Sequence, residues 1–468
     1  MGHVVFGTPR IEHFHLHSRL LRKLTDRDHR VTVLAPDPVA LEFYRAQGMR
    51  TVDIRPRRPR HSETLASQAP LAEFARVDCM LHGQSMPTRL QLRAMQKPLT
   101  KALPAVTRFF ETDPPDLLYL HQGRTGLHRL LHFLTRHHGA PVLHTGEGLL
   151  PRTMQWDTEG IDGDASVVRH TAQDYRRQER DETFLAAALS AWLARAYPPP
   201  LPRIGLNPPA FLRRLKGLLQ AAVRGQWATA REGLGAWQRA YPPVYPRRQD
   251  QPAIPQVPYV VVLLQQQDSP RLLLDSPGRI ESEHLVRVAR EATRKLGHGI
   301  PTAVVLPRAG VDRAAILRLQ QEFDDLIFLP HGAAALAVST AMAVITVNHP
   351  LGLCALLSGT PVLHLGRTPY GVRGVAQRTS LDLLGEDLAP ALTGDKPTLR
   401  QRFLTRMLKD YHLWCAVHRP DTNGMAGLTL KIETLMGRRP ENARPLHYRS
   451  GPVWPLSVQS GKQRGKDR

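Results

Sequence analysis

The sequence predicts an α/β chain of two Rossmann-like, doubly wound lobes, with a helical linker between them and further helices at the C-terminal end. Three observations predict it. Short apolar runs alternate with helical spacings through 4–144, the same alternation restarts at 259, and Pro-rich stretches at 197–202 and 241–258 separate the two. A chain of 468 residues is also too long for one ordinary domain.

In the first lobe, Val4-Val5-Phe6 reads as a buried strand ended by Gly7-Thr8-Pro9, and Phe14, Leu20, Leu21 and Leu24 mark a helix. A second strand covers 30–36. A third, 116–121, is followed by a helix over 126–137 and a strand over 141–144. Strand, helix and strand at this spacing make parallel βαβ units. After the first Pro-rich stretch, 209–239 has a helical pattern. The second lobe reads as strands 259–264, 302–306, 326–329, 343–347 and 361–365, with helices 282–296, 312–323, 332–341 and 351–357 between them. Helical patterning returns at 398–417 and 426–436. The division expected is 1–196 for the first lobe, 197–257 for the linker, 258–397 for the second lobe, 398–437 for C-terminal helices, and 438–468 for a basic, largely disordered tail.

Composition narrows the function classes. Sixty-three Lys and Arg against 41 Asp and Glu give a net charge of +22, which suits nucleic acid, an anionic membrane surface or an acidic small molecule or polymer. Cys79, Cys354 and Cys415 are too few and too widely spaced for a disulfide framework or a Cys-based zinc site, so a reducing cytoplasm is the expected compartment. The opening apolar stretch, 1–6, is too short for a leader peptide, and the weakly polar run 332–347 falls short of the ~20 residues that span a bilayer. The basic segments 50–60 and 438–468 lack the interleaved aromatic residues of nucleic-acid binders. They fit either a solvated surface or contact with the inner face of the cytoplasmic membrane.

Ligands of doubly wound folds sit at the carboxyl ends of the strands. Four places there carry candidate residues. Asn348, His349 and Gly352 lie between a strand and the helix from Leu351. The N–H groups there suit a phosphate, and the alternative is a plain capped turn. Glu147 follows the strand that ends near His144, with Asp157 ten residues on. Carboxylates here could face a reacting carbon, or could be a solvated loop acid and an Asx-turn. Gln265 and Asp268 follow the first strand of the second lobe, and Arg308 follows the next, as a possible fork onto a phosphate. His331 follows the strand 326–329, as a donor contact or as the start of a helix. His13 and His17 share a helix face but have no evident third ligand, so no metal is expected. His128, His132, His137 and His138 read as the polar face of their helix.

The stretch from Asn348 to Gly366 resembles N-S-T-x-G-x-x-A-L-x-x-G-x-P-V-x-x-L-G of the capsular polysaccharide biosynthesis and export family, which is related to retaining β-Kdo transferases. Asn348, Gly352, Ala355, Leu356, Gly359, Pro361, Val362, Leu365 and Gly366 match, whereas His349 and Pro350 replace Ser-Thr. The stretch from Gly146 to Asp162 is similar to the family's acidic pattern, with Gly146 at its leading Glu and Glu147 at the next position, or, with a one-residue shift, Glu147 at that Glu. The stretch from Leu264 to Asp268 is similar to its P-L-Q-x-x-x-D. Leu306 and Arg308 stand near the place of its K-x-H-P. The resemblance covers 116–166 and 259–384. It implies a GT-B glycosyltransferase with a nucleotide-sugar donor, CMP-Kdo, a glycolipid or polysaccharide acceptor and no separate cofactor. The departures at Leu306, His349 and Pro350 leave open a non-catalytic capsule assembly or export factor on the same fold.

Overall fold

The computed structural model describes residues 1–10, 13–55, 69–195, 254–297, 299–307, 313–418 and 420–437. The 209–239 helix, most of the 197–257 linker and the 438–468 tail therefore lie outside the described residues.

The first lobe runs β1 (His3–Gly7), α1 (Phe14–Thr25), β2 (Arg30–Ala35), α2 (Pro38–Arg45), β3 (Arg50–Asp53), α3 (Leu71–Leu81), α4 (Arg89–Thr112), β4 (Leu117–His121), α5 (Gly126–His137), β5 (Val142–Glu147) and β6 (Met154–Asp157). Its sheet is ordered β3-β2-β1-β4-β5, all parallel, and β6 continues it antiparallel to β5. Every residue of β1 and β4 is buried, as a strand covered on both faces requires. One face packs on α1 and α2 through Leu16, Leu20, Leu24 and Tyr44. The other packs on α3, α4 and α5 through Phe74, Val106, Phe110 and Leu131.

Short 3₁₀ turns and α6 (Glu182–Arg195) lead toward the second lobe. There follow β7 (Val260–Leu263), α7 (Pro270–Asp275), α8 (Ser282–Leu296), β8 (Thr302–Val305), α9 (Arg313–Glu322), β9 (Leu326–Leu329), α10 (Ala334–Thr340), β10 (Ala343–Thr346), α11 (Leu351–Leu357), β11 (Val362–His364), β12 (Gln377–Arg378) and α12 (Leu384–Thr393). The sheet β9-β8-β7-β10-β11-β12 is parallel throughout and reverses its winding between β7 and β10. Both lobes are thus doubly wound and Rossmann-like, as the sequence predicts.

The C-terminal segment corrects one expectation. The helix predicted over 398–417 ends early: α13 (Pro397–Asp410) gives way to β13 (His412–Leu413), which pairs antiparallel with β6 of the first lobe. Trp156 donates its backbone N–H to the Tyr411 carbonyl at 3.1 Å, so the edge of the first sheet captures the chain before another turn can form. The chain then closes with α14 (Thr422–Gly437), whose Met425, Leu428 and Ile432 enter the first lobe's core beside Leu16 and Leu20. Leu149, Leu150, Val167 and Tyr175 of the first lobe share a core with Val261, Leu353 and Phe403, so apolar packing joins the two halves directly. No described helix is long and apolar enough to cross a membrane.

Candidate active site

The carboxyl ends of the two sheets face each other. From the first lobe come Arg124 after β4, Glu147 at the end of β5, and Asp162 and Asp164 beyond β6. From the second come Arg271 and Asp275 of α7 and Arg367 after β11. Arg271 is delivered by local sequence. The Ser269 hydroxyl accepts from the Leu272 N–H and Pro270 sets the first turn, so α7 starts at Pro270, a short turn after β7.

Arg124 is 4% exposed and donates to Asp275 Oδ1 at 2.8 Å, while Asp275 itself is 1% exposed. Arg367 bridges Asp275 at 3.1 Å and Asp164 at 3.0 Å. Arg129 reaches Asp164 at 2.8 Å, and Arg271 reaches Asp162 at 2.8 Å. Burial pushes the Asp164 carboxyl up, but Arg129, Arg124 and Arg367 outweigh it and hold the carboxyl far below its ordinary range. Gly163 lies so close that a Cβ there would stand 2.1 Å from Asp275 Oδ1, and its N–H donates to the same carboxylate. The network joins residues more than 100 positions apart and pins one lobe to the other. Removing one buried partner leaves its counter-charge uncompensated, at a cost of about 3–5 kcal/mol. Arg124→Ala is therefore expected to lower the melting temperature by several degrees, measured by calorimetry. An unchanged melting temperature would show that the network does not hold the lobes.

Glu147 lies beside this network with its side chain 52% exposed. Its carboxylate accepts from His418 Nε2 at 3.0 Å, and its carbonyl accepts from Arg271 at 3.0 Å and Gln155 at 2.9 Å. The His418 hydrogen bond pulls the Glu147 carboxyl down to about 2. Burial opposes this, and Arg271 adds to it. The same bond raises His418 above its ordinary value. A row of rings runs inward from this pair: His418 to His13 at 5.7 Å, then His13 to His121 at 4.4 Å between centroids. His418 arrives from the segment joining β13 to α14, and nothing in the local sequence marks it as a neighbour of Glu147.

The other sequence candidates divide. The Asp157 carboxylate is 3% exposed and accepts from the Glu159 N–H, the Ser166 N–H and the Ser166 hydroxyl. It shapes an Asx-turn behind the crevice, and burial raises its carboxyl. Gln265 and Asn348 bind each other, Nε2 to Oδ1 at 2.7 Å and backbone N–H to Oε1 at 3.1 Å. The Asn348 amide also donates to the Arg271 carbonyl at 2.9 Å. Both therefore fix the start of α7, which carries Arg271, and the turn that carries His349. His349 Nδ1 accepts from the Leu351 N–H at 3.1 Å, which gives α11 a cap from the His side chain where the motif has a hydroxyl pair. His331 opens a 3₁₀ turn, and its ring stands 6.5 Å from that of His349. Gly352 serves packing: a Cβ would lie 2.5 Å from the Tyr370 ring, whose hydroxyl donates to the His349 carbonyl. Asp268 is exposed in the turn before α7. Arg308 lies outside the described residues. Glu147, Arg271, Asn348, Gln265, His349 and His331 are thus joined in one chain of contacts, to which Asp157 does not belong.

The polar helix face expected at His128 and His132 is overturned. Both are buried, at 5% and 9% exposure. His128 is held between Thr8 Oγ1 at 2.5 Å and Thr125 Oγ1 at 2.6 Å, and His132 Nδ1 meets His144 Nε2 at 2.7 Å. The helix turns its polar stripe onto hydroxyl and imidazole partners under the crevice. Among the described residues no group of three or more His, Cys, Asp or Glu is placed to hold a metal ion.

No protein-family model matches the chain, and no curated protein sequence does. Among solved structures it is similar to the glycotransferase of kitacinnamycin, at 14% identity over 93% of this chain and 99% of that one, with a TM-score of 0.34. It is also similar to KpsC of Thermosulfurimonas dismutans, a β-Kdo 2,7 transferase, at 15% identity over 75% and 98%, with a TM-score of 0.34. MurG of Acinetobacter baumannii gives 10% identity over 93% and 100%, with a TM-score of 0.35. Likenesses at this level assign no family. The two-lobed architecture rests on the strand order and register described above.

Proposed function

We propose that the chain is a GT-B glycosyltransferase of surface-polysaccharide biosynthesis that takes a nucleotide sugar, CMP-Kdo, and transfers the sugar to a glycolipid or glycan acceptor at the inner face of the cytoplasmic membrane. One observation carries the reading: Glu147, an ionised and half-exposed carboxylate bonded to His418, stands at a strand end of one lobe, where Arg271 of the other donates to its main-chain carbonyl. Glycosyl transfer runs through an oxocarbenium-like transition state, which a fixed carboxylate stabilises or attacks. The leaving phosphate needs fixed donors and cations on the opposite side. In this reading Arg271, His349, His331 and Arg308 belong to the donor side. Gln265 and Asn348 hold the backbone of Arg271 and His349, Asp268 lies at the rim, and Gly352 makes room for Tyr370. Asp157 supports the acidic loop from behind.

A second reading, a non-catalytic assembly or export factor that binds an anionic glycan, is favoured by His349, whose Nδ1 already accepts from the first N–H of α11. Thermal shift with CMP, CMP-Kdo, UDP and GDP separates the two. A nucleotide at 100-fold its Kd stabilises by about 2.7 kcal/mol, so the transferase reading expects a clear rise with the cytidine ligands. No rise with any of the four sinks it. A rise without turnover on any glycolipid or glycan acceptor favours the second reading.

A further inference from the structure

The hairpin of α3 and α4 carries a surface that the crevice does not use. From Cys79 to Phe110 the chain holds no Asp or Glu, whereas Arg89, Arg93, Lys97, Lys101 and Arg108 all fall on α4. Steps of four along a helix advance only ~40° around it, so the five cations lie within about a third of the circumference. All five are exposed, and none carries an ion pair among the described residues. Leu90 lies on the same arc and is 79% exposed, and Met86, in the turn just before it, is 71% exposed. Apart from Met1, these are the two most exposed large apolar side chains among the described residues.

The hairpin has a defined place. The Gly126 N–H, which opens α5 at the carboxyl end of β4, donates to Asp78 Oδ1 at 2.7 Å near the end of α3. The turn 82–88 therefore rises on the crevice side of the first lobe, where α3 also packs on α7 of the second. The basic stripe leads away from that turn for about 18 Å, at 1.5 Å per residue from Arg89 to Lys101.

We propose that this hairpin docks the protein on an anionic lipid bilayer. Met86 and Leu90 would enter the interface, and the stripe would lie against the head groups. The pairing of cations with two protruding aliphatic side chains fits an interface that is anionic outside and apolar just beneath. A single-stranded nucleic acid would instead need aromatic platforms for its bases, and 79–101 contains none. The dock rests on the hairpin alone. Only its consequence, that the crevice opens next to a lipid-borne acceptor, rests on the transferase reading.

The test is co-sedimentation of the full chain with phosphatidylcholine vesicles, with and without 30% phosphatidylglycerol, at low and high salt. Binding to the anionic vesicles alone, weakened by salt, is expected. Each cation near such a surface contributes about fivefold in partitioning, so R93Q/K97Q/K101Q is expected to weaken binding about 100-fold with an unchanged melting temperature. M86S/L90S is expected to weaken it without changing its salt dependence. R438Q/R439Q/R444Q removes the same charge from the C-terminal tail as a control. Full binding by the α4 variant together with loss in the tail variant overturns the proposal. So does an α4 variant that loses binding to a single-stranded oligonucleotide but keeps its affinity for vesicles. None of these measurements involves a nucleotide sugar or turnover, so their failure leaves the reading of the crevice untouched.

Discussion

Lowering the pH from 7 to 5 is expected to unfold the protein cooperatively, with a midpoint between about pH 5 and 6 at 25 °C. Seven histidines, His17, His121, His128, His132, His144, His364 and His412, are each no more than 9% exposed. Burial pushes His17, His128 and His144 down to about 3 and His364 and His412 to about 4, and it carries His121 and His132 well below their ordinary value. The sign follows directly. In the unfolded chain each imidazole takes up a proton below about 6.5, whereas in the folded chain it stays neutral until far lower, so stability present above 6.5 is lost as the pH falls. Each such group costs about 1.4 kcal/mol per pH unit. Seven together amount to roughly 10 kcal/mol within one to one and a half units, comparable with the ~5–15 kcal/mol that holds a typical domain folded. Two contacts sharpen the effect. His132 and His144 share one hydrogen bond, which a second proton destroys, and His128 is clasped by two threonine hydroxyls. His418 works in the opposite direction, because Glu147 raises its pKa and the pair strengthens as His418 charges. It is half exposed, however, and one such pair is worth little. Denaturant midpoints measured from pH 7.5 to 5 check the prediction. The slope of stability against pH counts the protons taken up, and fewer than two would show that these imidazoles are not neutral in the fold.

The same histidines mark where sequence reading reaches its limit. Apolar runs such as Tyr259 to Leu264 announce buried parallel strands, because a strand covered on both faces has no polar alternation to hide it. A polar residue at helical spacing carries no such information. His128 and His132 have the same period whether they meet water or Thr8 and His144. The long helix α4 carries Pro98 and Pro104 within it, residues that ordinarily interrupt a helical pattern. β13 is only two residues long and exists because the edge of β6 is there to receive it. The place of Glu147 was legible, since it follows an apolar run at the carboxyl end of the first sheet. Its partners Arg271 and His418, 124 and 271 positions further along the chain, were not, because only the meeting of the lobes and the return of the C-terminal segment bring them together. The motif around Asn348 allows either a phosphate contact or a plain capped turn, and in the fold its amide is engaged with Gln265 and the Arg271 carbonyl.

Glu147→Gln is expected to reduce sugar transfer by roughly 10²–10³-fold while leaving the fold and nucleotide affinity within about threefold of the parent. The magnitude is that of removing one preorganised electrostatic partner of a charged transition state. The substitution is chosen because Gln keeps the length and branching of Glu and can still bond His418, so it removes the charge and little else. Stability should barely move, because the Glu147–His418 pair is about half exposed on both sides and such pairs contribute between nothing and ~1 kcal/mol. The pH dependence gives a second readout. With its pKa drawn to about 2, Glu147 is already ionised throughout the range in which the protein is folded, so its own titration should not appear in the turnover profile. His418 should titrate above its ordinary value in the parent and fall back toward it in the variant, because the carboxylate that raised it is gone. That shift, followed by NMR of the imidazole, reports the loss of the anion independently of catalysis. Unchanged turnover together with a shifted His418 would remove Glu147 from the chemistry and leave it as a surface pair. Lost turnover with an unshifted His418 would contradict the geometry on which the role rests.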